Sequence, residues 1–303
     1  MSSKIHNPQI KSTDIKESGI CKLTAIQIIS NDNVDDNFSQ IETQLNALPA
    51  STDATKHIVL LPENALCFAN REHYLSVAER LGDGPNQTRL SKLAKQHHCI
   101  LICGSFPIQS EQADKIYTTS LVYSESGKLL ESYHKIHLFD ADVADTQGAY
   151  KESDTFIAGQ EIKIVDCGFA KIGLAICYDL RFPGLFQQLA ECGADIILLP
   201  AAFTKVTGQA HWQALLQARA IENQCYFIAA NQGGEHFVDH DTFSVRETYG
   251  HSMIINAWGE VLSQLTTGNG FAQADFDKEA LNSIRKKMPV KQHNQFNSTQ
   301  KFK

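Results

Sequence analysis

The chain has no apolar run approaching the length of a membrane-spanning helix, so no membrane partner is expected. It also lacks an excess of positive charge: 27 Lys and Arg stand against 34 Asp and Glu, a net of −7 at pH 7. A protein that grips a nucleic-acid backbone needs a basic face, so no nucleic-acid partner is expected either. A local basic pocket is still allowed. No C-x-x-C pair occurs among the eight cysteines, which are scattered at positions 21, 67, 99, 103, 167, 177, 192 and 225. Most sit in apolar runs, where a free cysteine behaves as a small buried hydrophobe. A disulfide scaffold is not indicated, and a reducing, cytoplasmic setting is expected. The first twenty residues lack the apolar core of a signal peptide and read as a loose polar tail. Dinucleotide and Walker glycine patterns are missing, as are internal repeats and low-complexity linkers.

What is present describes an ordinary soluble protein, with 43% apolar and 20% charged residues. A chain of 303 residues can bury most of its unfolded surface without a metal or disulfide. The first half reads β-α-β-α-β. Strand patterns at Cys21–Ser30, His57–Pro62 and Cys99–Cys103 alternate with helical stripes around Phe38–Leu48, 71–81 and 87–98. Thr118–Tyr123 and Lys128–His134 flank a Ser-Glu-Ser-Gly turn and predict a hairpin. A polar loop is expected from Asp140 to about Gly159. Lys171–Ile176, Asp195–Pro200 and Cys225–Asn231 repeat the β-α-β theme, with helices over Gly184–Cys192 and near 209–222. The end is strand-rich and closes with a short helix near 278–287. About a dozen strands exceed one comfortable open sheet, and the apolar ones want cover on both faces. The expectation is therefore an α+β fold with two face-to-face sheets and helices outside, ahead of a doubly wound single sheet, which the helix-free hairpins disfavour. It forms a single domain over 21–290, with a tail over 291–303.

Chemistry concentrates where buried strands end. Cys177 follows a strand and precedes a helix beginning at Pro183, and such a turn can expose a nucleophile. Most cysteines, however, are core residues. Glu63 follows Leu-Leu-Pro at the end of another strand, where a desolvated carboxylate can serve as a general base or merely cap a loop. Lys135 closes the hairpin strand and can stabilise an oxyanion or lie solvated. The residues alone do not favour Glu63 over a histidine as base, since Cys–His pairs are the commoner design.

Together these segments carry a family signature. Pro62-Glu63-Asn64, the run Tyr133 to Asp140 around Lys135, and Gly173 to Pro183 around Cys177 resemble the nitrilase superfamily of carbon–nitrogen hydrolases. The runs Thr207–Trp212, Ala218–Tyr226 and Tyr249–Met253 are similar to the branch holding the deaminated-glutathione amidases and ω-amidases. The likeness spans about residues 21 to 295. It implies a four-layer αββα sandwich and a Glu63-Lys135-Cys177 triad. Glu63 would take the thiol proton, Cys177 would form a thioester, and Lys135 with the Tyr178 N–H would hold the oxyanion. Glu152 matches the place of a second family glutamate. Arg181 would clamp a substrate carboxylate, with Phe203 and Thr207 beside it; otherwise it pairs with Asp179 or a neighbouring acid. The resemblance also implies a homodimer or higher homo-oligomer.

Other candidates are weaker. His134/His137, His97/His98 and His236/His240 lack further ligands at recognised spacing, so no metal is expected. Gln232-Gly-Gly234 reads as turn chemistry, and Trp212, Leu215 and Leu216 as helix core. The expected activity is that of a cofactor-free amidase on small carboxylate-bearing amides, deaminated glutathione first. 2-Oxoglutaramate and N-carbamoyl amines are alternatives, and a nonenzymatic metabolite-binding or scaffold protein is a rival of a different class.

Overall fold

A computed structural model describes residues 20–49, 55–144, 148–239 and 244–295. Most of the expected N-terminal tail and the end of the C-terminal one lie outside these residues. The elements begin β1 (Ile20–Gln27), α1 (Val34–Ala47), β2 (Thr55–Leu60), α2 (Arg71–Val77), α3 (Pro85–Gln96) and β3 (Ile100–Gln109). They continue β4 (Ile116–Tyr123), β5 (Leu129–His134), β6 (Asp140–Asp142), β7 (Ala149–Lys151), β8 (Ile164–Asp166) and β9 (Lys171–Leu174). Next come α4 (Pro183–Glu191), β10 (Ile196–Ala201), α5 (Lys205–Asn223), β11 (Tyr226–Asn231), β12 (Glu235–Asp239) and β13 (Ser244–Glu247). The last are β14 (Met253–Ile255), β15 (Val261–Gln264), β16 (Gly270–Phe276), α6 (Lys278–Lys287) and α7 (Val290–His293).

Two six-stranded sheets carry the architecture, ordered β16-β1-β2-β3-β4-β5 and β15-β14-β11-β10-β9-β8. Each has three parallel strands at its centre, joined by helical crossovers, and antiparallel strands outside them. The period of two along a strand assigns every apolar side chain to a layer. On β2 and β10, Ile58, Leu60, Ile196 and Leu198 point into one core shared by both sheets. Their neighbours Val59 and Leu61 face outwards onto α1 and α3. Ile197 and Leu199 face outwards onto α4 and α5. The expected four layers, helix–sheet–sheet–helix, follow from that alternation, because both faces of each sheet are apolar.

Several boundaries differ from expectation. The loop after Asp140 contains a short hairpin, β6 with β7, and a helical turn over Glu152–Asp154. Its residues alternate without an apolar face, so the pattern carried no strand signal. The first of the two consecutive helices stops at Val77 rather than 81, because Glu79 leaves it to bridge Ile108 at the edge of β3. The helix expected near 209–222 starts at Lys205, where the Thr204 hydroxyl caps the Thr207 N–H. The expected C-terminal tail opens with the short helix α7. Among the described residues no helix is long and apolar enough to cross a membrane.

Asp195, just before β10, fastens α6 to the second sheet. Its carboxylate accepts from Lys278 and, at 2.8 Å, from Arg285, whose other nitrogens reach the Ala194 and Gln224 carbonyls. Burial alone would raise the Asp195 pKa; the Lys278 hydrogen bond, the Lys171 N–H and the two cations hold it below its usual value. A depressed carboxylate pKa contributes stability above the ordinary aspartate value, and loses it as pH falls through the folded value. Asp195→Asn is therefore expected to cost about 1–2 kcal/mol at neutral pH, the lower part of the range for charged hydrogen bonds because Lys278 is partly exposed. Urea unfolding at a series of pH values should show the two proteins converging below about pH 4.

Candidate active site

Five strands deliver side chains or N–H groups from their carboxyl ends to one place. Glu63 follows β2 through Leu61 and Pro62. That path passes so close to β3 that a Cβ on Gly104 would lie 2.1 Å from the Pro62 carbonyl oxygen. Glycine is the residue that fits there. Asn64 then adopts φ 56°, held by its N–H on the Ser105 hydroxyl, and turns the chain away. Lys135 follows β5, with its N–H on the Thr118 carbonyl and its own carbonyl accepting from Gly159. A Cβ on Gly159 would meet the His134 carbonyl at 2.2 Å, so glycine again permits the approach.

The Lys135 ammonium is 2% exposed and held by two carboxylates. It lies 2.8 Å from Glu63 Oε1 and 2.9 Å from both oxygens of Glu152. Burial would lower its pKa, but Glu152 and Glu63 outweigh that and push it well above the usual lysine value. Glu63 Oε2 accepts from the Ala202 N–H at 2.9 Å, beyond β10. Its backbone carbonyl accepts from the Gln232 side chain at 2.9 Å, beyond β11. Glu152 Oε2 also accepts from the Phe139 N–H at 2.6 Å. Burial and the neighbouring Glu63 charge raise the Glu152 pKa against the pull of Lys135.

Cys177 begins the turn of 3-10 helix after β9, with φ 47°, a left-handed conformation uncommon outside glycine. Asp179 secures that turn. It is fully buried and accepts from the Ile176 N–H (2.8 Å), the Tyr133 hydroxyl (2.7 Å) and the His137 N–H (3.1 Å), while His137 Nδ1 lies at 2.7 Å. The Cys177 thiol borders the same cavity as Glu63 and Lys135, close enough for both charges and the Ala202 N–H to act on its pKa. A carboxylate, an ammonium and a thiol thus meet at strand ends. The set can move a proton off sulfur and stabilise a new negative charge.

Arg181 is not paired with Asp179, whose four contacts lie elsewhere. Its guanidinium sits over the Phe203 ring at 5.4 Å and the Tyr178 ring at 5.9 Å, with His211 at 3.2 Å. Arg181, Tyr178, Phe203 and Thr207 line a niche of about 20 Å³ that Cys177 also borders. Cys177 also borders a larger cavity of about 390 Å³. Glu63, Lys135 and Glu152 line that cavity, together with Tyr150 and Arg246. Those last two, and the positioning residues Asp179, Ala202 and Gln232, escaped sequence reasoning. Only Gln232 left a usable signal, as a polar residue directly after a buried strand.

His134, His137 and His236 are engaged in packing, whereas His98 is exposed. His236 stacks on Phe68 at 4.1 Å and bonds Ser30 and Thr248, and burial depresses its pKa to about 4. His240 lies outside the described residues. His134 contacts Thr119 and Tyr117, whereas His137 contacts Asp179 and Phe182, so the two face different partners. Among the described residues no His, Cys, Asp and Glu side chains group as metal ligands. Trp212 and Leu216 are core residues of α5, as expected.

Comparison with known proteins places relatives beside this geometry. A family model described as carbon–nitrogen hydrolase matches residues 22–286. The chain is 43% identical over 275 residues to a deaminated glutathione amidase of Yersinia enterocolitica, an alignment covering 90% of this chain and 93% of that one. The crystal structure of the C. elegans NitFhit protein superposes with a TM-score of 0.81 at 32% identity, over 91% of this chain and 65% of that longer one. Saccharomyces cerevisiae Nit3, a member of branch 10 of the nitrilase superfamily, gives a TM-score of 0.77 at 29% identity, over 94% of this chain and all 100% of that one.

Burial first, and then the Glu63 charge, push the Cys177 thiol pKa well above its usual value, with Lys135 opposing. The thiol therefore rests protonated at neutral pH. Glu63→Gln removes a raising charge and leaves Lys135 in place, so the thiolate should form at lower pH. The ultraviolet absorbance of the thiolate, taken as a difference from the matching Cys177→Ala protein through a pH titration, measures this. An unchanged midpoint would contradict the electrostatic account.

Proposed function

The chain belongs to the carbon–nitrogen hydrolase family, within the nitrilase superfamily, and from that premise we propose that it is an amidase using a thioester on Cys177. The favoured substrate is deaminated glutathione. The observation that carries this is the buried Lys135 ammonium, hydrogen-bonded to Glu63 beside the Cys177 thiol.

Glu63 takes the thiol proton as sulfur attacks the amide carbon. Negative charge then develops on the amide oxygen, and Lys135 with the Tyr178 N–H receives it. An N–H in the first turn of a helical segment has no intrahelical acceptor, which suits that task. The protonated Glu63 gives its proton to the departing amine and leaves the acyl group on sulfur. Water, deprotonated by Glu63, then cleaves the thioester and restores the thiol. Glu152 holds the ammonium in place throughout and balances its charge. Dividing one difficult displacement into two is the benefit of the covalent route. Arg181, with Phe203 and Thr207, holds the 2-oxo-acid end of the acyl group, since a guanidinium matches a carboxylate bidentately. No metal or cofactor enters these steps.

A cytoplasmic setting is supported by free thiols, eight in all. A single catalytic unit over 21–290, assembled as a homodimer or higher homo-oligomer, completes the proposal.

Cys177→Ala, Glu63→Gln and Lys135→Met should each lose at least about two to three orders of magnitude in turnover while circular dichroism stays unchanged. Mass spectrometry of a quenched reaction should find an acyl adduct on Cys177. Full turnover by Cys177→Ala would reject the covalent route, whereas no turnover and no adduct in the unsubstituted protein would favour a nonenzymatic role. The substrate itself is tested by comparing kcat/KM under identical conditions. Deaminated glutathione should exceed 2-oxoglutaramate by at least about tenfold, some 1.4 kcal/mol in transition-state binding. The opposite order would make the protein an ω-amidase.

A further inference from the structure

Arg246, on β13, lines the large cavity that Lys135, Glu63 and Glu152 also line. Its guanidinium lies 5.6 Å from the centroid of Tyr150 and 5.8 Å from that of Phe68, so both neighbours present ring faces rather than acceptors. Its Nε is buried and has no hydrogen-bond partner among the described residues. The neighbouring carboxylates are committed elsewhere. Glu152 is taken by Lys135 and the Phe139 N–H, and Glu247 by Lys205. Arg71, which also lines the cavity, donates to the Asp114 and Asp154 carbonyls. A buried guanidinium nitrogen without an acceptor costs free energy until an acceptor arrives. The geometry asks for a planar anion with two oxygens.

The position of Glu63 says which half of the substrate brings it. The group that protonates the departing amine has to lie beside that amine. Glu63 borders the large cavity and not the niche that holds Arg181, whereas Cys177 borders both. The amine half therefore extends into the large cavity, towards Arg246.

We propose that Arg246 binds a carboxylate carried by the leaving amine, so that the enzyme selects amides whose amine half ends in a carboxylate, as a dipeptide does. The assignment rests on the proposed role of Glu63 as proton donor to that amine. Arg181 and Arg246 would then grip the two ends of one dianionic substrate, with the scissile bond at Cys177 between them.

A substrate pair tests this: deaminated glutathione and the same molecule with its terminal carboxylate converted to a carboxamide. The wild-type protein should prefer the carboxylate by about tenfold or more in kcat/KM, the effect of one charge-assisted hydrogen-bonded contact. In Arg246→Gln the ratio should fall to near one, with Arg246→Lys between. A ratio that survives the substitution overturns the proposal, as does a wild-type protein with no preference. An equal loss on both substrates also overturns it, and would move Arg246 to the acyl end or to a structural role. Calorimetric titration of cysteinylglycine into Cys177→Ala, with and without Arg246→Gln, gives a reading independent of turnover. Weakening by about tenfold supports the subsite, and unchanged or absent binding refutes it. If the wild-type protein hydrolyses neither amide, the amidase proposal fails, while the titration still decides whether Arg246 binds the carboxylate.

Discussion

The Lys135 ammonium, out of water between two carboxylates, is the constraint on which the rest of the site depends. Removing a cation from water costs several kcal/mol unless its partners are placed and hydrogen-bonded. Glu63 and Glu152 do this from different parts of the chain, one after β2 and one after the short hairpin of β6 and β7. Burial and the neighbouring Glu63 charge favour the protonated Cys177 thiol, with Lys135 opposing. Under the proposed mechanism the same cluster passes one proton, from sulfur to Glu63. Chemistry and burial are served by the same three side chains.

A second buried charge holds the nucleophile. Asp179 accepts from Tyr133 on β5, from the backbone before Cys177, and from His137 in the segment after Lys135. It thereby links the element carrying the lysine to the element carrying the cysteine, and supports the left-handed backbone at Cys177 that would otherwise cost about 1–3 kcal/mol. Because Asp179 is fully engaged, Arg181 is left with aromatic faces and His211, and its guanidinium borders the niche next to Cys177. An ion pair inside the turn would have removed that cation from the site.

The two spaces that Cys177 borders are built differently. The niche is formed largely by the turn after Cys177 and the start of α5, both on the second sheet. The large cavity draws on both sheets and on the β6–β7 and β12–β13 hairpins, which supply Tyr150 and Arg246. Loops of this kind vary without disturbing the sheets, so they are the natural place for substrate choice on a fixed catalytic floor. The two hairpins thus shape the wall of the large cavity beside the Lys135 cluster.

Glu63, Lys135 and Cys177 were legible in the sequence because each stands directly after a buried apolar run, where a reactive group is otherwise out of place. The same runs predicted two sheets covered by helices, since Ile58–Leu61 and Ile196–Leu199 are apolar on both faces. The choice of Glu63 as partner for the thiol needed the family resemblance, because residue type alone equally favours histidine. Tyr150 and Arg246 left no such mark. They sit in short, polar strands whose alternation has no apolar face, and a lone arginine there looks like any solvated one. The chain by itself determined the layers and where candidate reactive residues stand, through patterns read within a few neighbouring positions. Which charges are paired, that Asp179 serves the turn rather than Arg181, and that an arginine near position 250 faces a tyrosine near 150 were decided only by tertiary structure. Those facts depend on contacts between segments 17 residues apart for Lys135 and Glu152, 72 for Lys135 and Glu63 and 46 for Asp179 and Tyr133, and pairing between separate elements leaves no local periodicity to read.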